Sequence, residues 1–196
     1  MQTQNTSAIA NLKRREPKTP TKIPVSTLER TEEIEMTKKI SDLEQNLWSV
    51  ILSNPAKVRF VADRLTGVMA QIKGFENQEE VQAALKRLVR FAGNKKSKRS
   101  RTLFDKTLTE CALLLTHADM DRELVLAAVD EAVCRSTVCS ADGHERVLAH
   151  GRKVKVAART IEALRHEFIR ANQGLVVLIA GRYHWAKMPM NDLIQE

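Results

Sequence analysis

Apolar residues recur at steps of three and four through most of the chain, the signature of helices that each bury one face. Ile40, Leu43, Leu47, Val50 and Ile51 form the first such stripe. Ser26 with Glu29 three positions on has the form of a capping box, so a first helix is expected to open near Ser26 and to run to about Ser53. Asn54-Pro55 then predicts an immediate restart, because Asn accepts from free helix-start amides and Pro is preset for the first helical position. Val58, Val61, Leu65, Val68, Met69 and Ile72 supply the second stripe, which Lys73, Gly74 and Phe75 end. Asn77 with Glu80 repeats the capping-box form ahead of a third stripe, Val81, Leu85, Leu88 and Val89, closed by Gly93. Two further helices are expected over residues 103–115 and 119–133, with Leu113, Leu114, Leu124, Leu126, Val129 and Val133 as core candidates. Ser140, Ala141, Asp142 and Gly143 predict a turn, followed by a long Arg- and Ala-rich helix with a charged outer face reaching Asn172.

Residues 1–25 break this pattern: Lys13, Arg14, Arg15, Lys18 and Lys22 are interspersed with Pro17, Pro20 and Pro24, and no apolar period is present. A disordered basic tail is expected there. Of the 196 residues 43% are hydrophobic but only 4% aromatic, with 7 Gly and 5 Pro, which suits helices better than many short strands joined by turns. The expected fold class is therefore all-α. No apolar run approaches the roughly 20 residues that span a bilayer, and the N-terminus lacks a charged-then-apolar secretory pattern, so a cytoplasmic protein without membrane partners is expected.

Charge and candidate chemistry narrow the picture less. The formal charge of +8 fits either a nucleic-acid or acidic partner, or solvated helical faces that are basic for solubility. Lys95, Lys96, Lys98, Arg99 and Arg101 make a basic patch in the stretch 94–101, which is expected to be an exposed loop because like charges repel. It could touch DNA or RNA, but no aromatic residue lies within it to stack on a base, and a solvated linker is the favoured reading. Cys111, Cys134 and Cys139 are too few for a disulfide scaffold, and reduced thiols are expected. Cys134, Cys139, His144 and His150 match no standard zinc spacing, so no metal and no cofactor is expected. No nucleophile with a base, phosphate loop or dinucleotide fingerprint is legible, which argues against an enzyme and against a small-molecule substrate.

Residues 167–196 read EFIRANQGLVVLIAGRYHWAKMPMNDLIQE. This segment resembles the core-binding part of bacterial RNA polymerase sigma factors of the housekeeping type, with an A-N-L-R-L-V helix, an I-A-K-K-Y stretch, a short turn and D-L-I-Q-E. Ala171, Asn172, Leu175, Val176, Ile179, Ala180, Tyr183 and all of Asp192, Leu193, Ile194, Gln195 and Glu196 match without a gap. Upstream, EIEMTKKISDLEQNLWSVILSNP is similar to the family's conserved E-I-x-x-A-K-R-I-E-D helix, with Glu33, Ile34, Lys38, Ile40, Asp42 and Pro55 in register. The order and spacing resemble primary sigma factors that carry a long helical insertion between the two regions. The layout so implied is a tail over 1–25, an upstream helix over 26–55, a helical insertion over 56–155 and the start of the core-binding region over 156–196.

The resemblance implies binding to a coiled coil of the largest subunit of core RNA polymerase. Asp192, Leu193, Gln195, Glu196 and Val176 would supply that contact, carboxylates meeting Arg side chains and Val176 and Leu193 giving apolar burial. Asn172 would lie near the non-template DNA strand, so promoter DNA would be met only within the holoenzyme. The chain departs from the family at Gln173 and Gly174, where Leu and Arg are usual, at Gly181, and at Ala186 and Lys187, where Arg-Gly is usual. After D-L-I-Q-E the family continues into an aromatic helix that captures minus-ten bases, and without it promoter opening by this chain alone is not expected. The expectation is thus either a fragment of a longer initiation factor or a short protein competing for core polymerase. Two other readings stay open: a sigma-derived helical interaction module, and a nonspecific basic nucleic-acid binder.

Overall fold

The computed structural model describes residues 28–73, 75, 77–93, 98–119, 121–134, 141–183, 189 and 192–193, with side chains from residue 145 onward in the last long helix. Six long helices and no strand occur among these residues: α1 Arg30–Leu52, α2 Val58–Met69, α3 Gln78–Ala92, α4 Lys98–Ala118, α5 Glu123–Val133 and α6 Ala141–Arg182. The all-α expectation holds. None of the described helices is long and apolar enough to cross a membrane.

One compact unit comprises residues 28–170. Its packing closes a circuit, α1 on α4, α4 on α3, α3 on α2, α2 on α5 and α5 back on α1, with α1 also touching α2. The enclosed core is built from short stripes: Leu47, Trp48, Ile51 and Leu52 of α1; Val58, Val61, Ala62, Leu65 and Met69 of α2; Val81, Ala84, Leu85 and Leu88 of α3. Helix α4 adds Phe104, Cys111, Ala112 and Leu115, and α5 adds Leu124, Val125, Ala128 and Ala132. The first half of α6 covers this body, sending Val154 and Ile161 into the same core.

Helix starts differ from those read off the sequence. Helix α1 opens at Arg30 with Glu29 as N-cap, whose amide donates to Glu32 Oε2 at 3.0 Å, so a Glu29–Glu32 pair closes the box expected of Ser26, which lies outside the described residues. Asn54 caps as expected: its Oδ1 accepts from the Ala56 amide at 3.1 Å and its carbonyl from Lys57 and Val58 at 3.0 and 2.9 Å. Asn77 instead starts α3 from a left-handed conformation, φ 58°, and makes no side-chain cap hydrogen bond. Left-handed backbone is open to Asn at modest strain, and it turns the chain sharply enough for the carbonyl to serve as the first acceptor. Helix α5 begins at Glu123 rather than 119, because Arg122 takes φ 63° and Asp119 reaches across the turn. The Asp119 carboxylate accepts from the amides of Leu124 at 3.0 Å and Val125 at 2.7 Å. Burial pushes its pKa up, against the pull of these two amides and Arg122, so it caps at some cost in desolvation.

Three expectations are corrected. Leu113 and Leu126 are not core: they are 46% and 60% exposed, because the buried arcs of α4 and α5 are set by Phe104, Cys111 and Leu115 and by Leu124, Ala128 and Ala132. Lys98, Arg99 and Arg101 are helical, not loop, forming the exposed first turn of α4; Lys and Arg are good helix formers and a solvated first turn need not neutralise them. Ala141, Asp142 and Gly143 continue into helical backbone at the start of α6 instead of forming a turn.

The packing of α6 meets the ends of α1, α2 and α5 at one junction. His150 Nε2 donates to the Val50 carbonyl at 2.8 Å, which assigns the ring proton to Nε2, and Nδ1 is buried with no hydrogen-bond partner among the described residues. Burial lowers the His150 pKa, Lys57 and Lys153 lower it further, and the Val50 carbonyl opposes them. The folded state therefore resists protonation that the unfolded chain accepts below the ordinary value of 6.5, and stability must fall as pH drops through that value. The expected slope contribution is at most about 1.4 kcal/mol per pH unit. Urea unfolding at pH 7 and pH 5 checks this: His150→Gln, which keeps a donor of similar reach, should leave the pH 7 midpoint nearly unchanged and flatten the acid loss.

Candidate functional site

Helix α6 carries its buried residues on a regular seam. Val147, Gly151, Val154, Ala158, Ile161 and Arg165 follow steps of four, three, four, three and four, the spacing of a coiled-coil stripe. Val147, Val154 and Ile161 are buried, and Arg165 ends this part by bonding Glu44 of α1 through its Nη2. The same steps continue along the sequence through Phe168, Asn172, Leu175 and Ile179.

Past residue 170 several apolar residues of α6, and Tyr183 just after it, are open to solvent. Leu175 is 50%, Val176 41%, Ile179 45% and Tyr183 50% exposed. At 100° per residue Asn172, Leu175, Val176, Ile179 and Tyr183 fall within one arc about 100° wide, so they form a single stripe. Leu178, 57% exposed, stands to one side, while Ala180 is buried. A stripe of this length that is apolar and solvated is what a partner surface looks like before it is occupied, since single exposed apolar residues are ordinary but contiguous ones are not. Gly174 does not interrupt the helix, although Gly in a helix interior costs about 1 kcal/mol relative to Ala.

Beyond α6, Pro189 accepts from the amides of Asp192 at 3.0 Å and Leu193 at 3.1 Å, a helical first turn in which Asp192 is exposed and Leu193 half-buried. A carboxylate in a first turn is favoured by the free amides there, and it leaves Asp192 available to a cationic partner. Of the residues expected to make the contact, Val176, Asp192 and Leu193 are described, as is half-buried Asn172 on the α6 stripe; Gln195 and Glu196 lie outside the described residues. Leu175, Ile179 and Tyr183 belong to the stripe as fully as Val176 does. The signal for Leu175 and Ile179 was the four-three spacing that runs on from Val147, while Tyr183 follows Ile179 by a further step of four.

The remaining candidates fall elsewhere. Lys98, Arg99 and Arg101 lie on α4, and Lys95 and Lys96 lie outside the described residues. Cys134 is the C-cap of α5 rather than part of a helix, and Cys139 and the side chain of His144 lie outside the described residues. Burial in α4 pushes the Cys111 thiol up to about 12, with Arg87 lowering it and Glu110 raising it, so at neutral pH it is a protonated core group and a poor nucleophile or ligand. No group of three His, Cys, Asp or Glu side chains suited to a metal ion occurs among the described residues. Comparisons with protein-family models, with curated proteins and with solved structures return no match for this chain.

Proposed function

We propose that this chain is a sigma-factor-like protein that binds core RNA polymerase through the exposed stripe of α6 and the turn carrying Asp192. The observation that carries the reading is the solvated apolar arc of Leu175, Val176, Ile179 and Tyr183, which occupies the positions at which the sequence resembles the sigma core-binding helix. A stripe with four-three spacing is suited to an elongated helical partner, where knobs from one helix enter gaps on another. The implied partner, a coiled coil of the largest polymerase subunit, has that form. Asp192, and Gln195 and Glu196 after it, would add charge-assisted bonds at the rim, giving register more than affinity. On this reading Asn172 is the residue nearest to promoter DNA, within the holoenzyme and not in the isolated chain.

The test is binding of the full chain to purified core RNA polymerase at moderate salt, beside L175D/I179D and, separately, D192A. Because Leu175 and Ile179 are exposed, the double variant should keep its helical circular dichroism while losing at least about tenfold in affinity, as expected when apolar anchors of an interface are removed. D192A should weaken binding by a smaller factor of about 3 to 10, as expected for a rim charge. A folded chain that does not bind core, or that binds equally well after L175D/I179D, overturns the proposal.

A further inference from the structure

Helices α3 and α4 pack against each other and are separated in sequence by residues 93–97 alone, so they form a hairpin with the end of α3 beside the start of α4. From Val81 to Phe104 the sequence contains no Asp or Glu. Lys86, Arg87 and Arg90 are all exposed on α3, and Lys98 and Arg99 are exposed on the first turn of α4. On α3 the three cations occupy an arc of about 100° centred opposite the buried face of Val81, Ala84, Leu85 and Leu88. The sequence alone places Lys98 and Arg99 in a linker; the fold instead sets them on a rigid helix beside a second basic helix. Such residues are not self-repelling for want of structure. They hold several positive charges on the solvent-facing sides of two packed helices near the turn that joins them.

We infer that this face of the α3–α4 hairpin binds the phosphate backbone of duplex DNA, independently of sequence and of the α6 stripe. A duplex presents one phosphate charge per about 1.7 Å of axis, so cations clustered at one end of the hairpin each find a phosphate and release its condensed counterion. Duplex is favoured over single-stranded nucleic acid because the face lacks an exposed aromatic platform: Phe91 is half-buried, with the Arg90 guanidinium 5.2 Å from its ring centroid. Arg87 lies on the side of α3 toward α4, near enough to Cys111 to lower its pKa, and is left in place in the test below. The contact does not depend on core polymerase, so it stands or falls separately from the reading above. If both hold, the hairpin would raise the local concentration of DNA around a polymerase-bound chain.

The test is fluorescence anisotropy of the full chain with a labelled 30-base-pair duplex of arbitrary sequence, from low to moderate salt, without polymerase. The patch variant is K86A/R90A/K98A/R99A; the charge-matched control is R152A/K155A/R159A/R170A, four exposed cations of α6. All eight residues are exposed, and circular dichroism checks that both variants remain folded. The patch variant should lose at least tenfold in affinity at about 100 mM salt and should lower the magnitude of the log K against log salt slope by about 2 to 3, near 0.9 per phosphate contact removed. Equal losses in both variants would mean that net charge alone is sensed, and would overturn the site. Unchanged affinity in the patch variant, or tighter binding to a 30-nucleotide oligothymidine than to the duplex, would overturn it as well.

Discussion

Lys57→Ala is expected to destabilise the unit of residues 28–170 by about 4 kcal/mol, the sum of lost charge-assisted hydrogen bonds and of the space left by a buried four-carbon stem. Lys57 is only 1% exposed, and its Nζ donates to the carbonyl of Glu131 at 3.3 Å and to that of Cys134. Those carbonyls end α5, where the last turn has no helical amides to bond and the helix dipole is negative. One side chain from the turn before α2 thereby caps a helix more than 70 positions away. Its removal takes this donor from two acceptors at a part-buried helix end, which costs more than the bond is worth on balance. Lys57→Met separates the two contributions. It keeps most of the stem and should lose about 2 kcal/mol, so chemical unfolding of the two variants measures packing and capping apart. A loss below about 1 kcal/mol for the alanine variant would show that solvent reaches the end of α5.

Gly151 sits one residue from His150 at the same junction, and Gly151→Leu is expected to cost about 3 kcal/mol by overpacking. A Cβ at Gly151 would lie 3.6 Å from Val133 Cα, 3.8 Å from the Ala132 carbonyl oxygen and 4.0 Å from Val133 Cγ2. One carbon there makes ordinary contact, but the atoms beyond it must enter the backbone of α5, which Lys57 holds at its end. Gly151→Ala has the opposite sign: the methyl fits, and replacing Gly inside a helix gains up to about 1 kcal/mol. In thermal unfolding the alanine variant should rise by roughly 2–4 °C, while the leucine variant falls by several times that amount. If both variants fell together, even the single carbon would be too much, and α6 would lie closer to α5 than the ordinary contact distances allow.

Neither Lys57 nor Gly151 owes its role to its neighbours in sequence. Lys57 follows Asn54, Pro55 and Ala56, and nothing in its neighbours distinguishes it from the other lysines of solvated turns. Gly151 interrupts an Arg-rich stretch and reads as a weak spot in a helix, whereas in the fold it faces the backbone of α5 at Ala132 and Val133. The α6 stripe was more legible, since Ala171, Asn172, Leu175 and Val176 are conspicuous beside D-L-I-Q-E. What the linear pattern left open was that Leu175, Ile179 and Tyr183 are exposed while Val154 and Ile161, on the same spacing, are buried. Equal spacing yields equal faces, but only a neighbour decides which face is covered.

Local sequence dictates that the chain is helical, about where most of the helices lie and which arc of α1, α2 and α3 turns inward, because helix formation and its 3.6-residue period depend on local geometry and on nearby side chains. It also determined that Asn54 caps a turn and that Gly93 ends α3, both short-range matters of backbone and hydrogen bonding. Tertiary structure decided the rest: that Leu113 and Leu126 face solvent, that a lysine is core, that burial lowers the His150 pKa, and that Lys98, Arg99 and Arg101 are helical. Burial, desolvation and the summed field of charges depend on what approaches from distant parts of the chain. No local pattern encodes that approach, which depends on how α1 to α5 and the part of α6 before residue 171 close around one core.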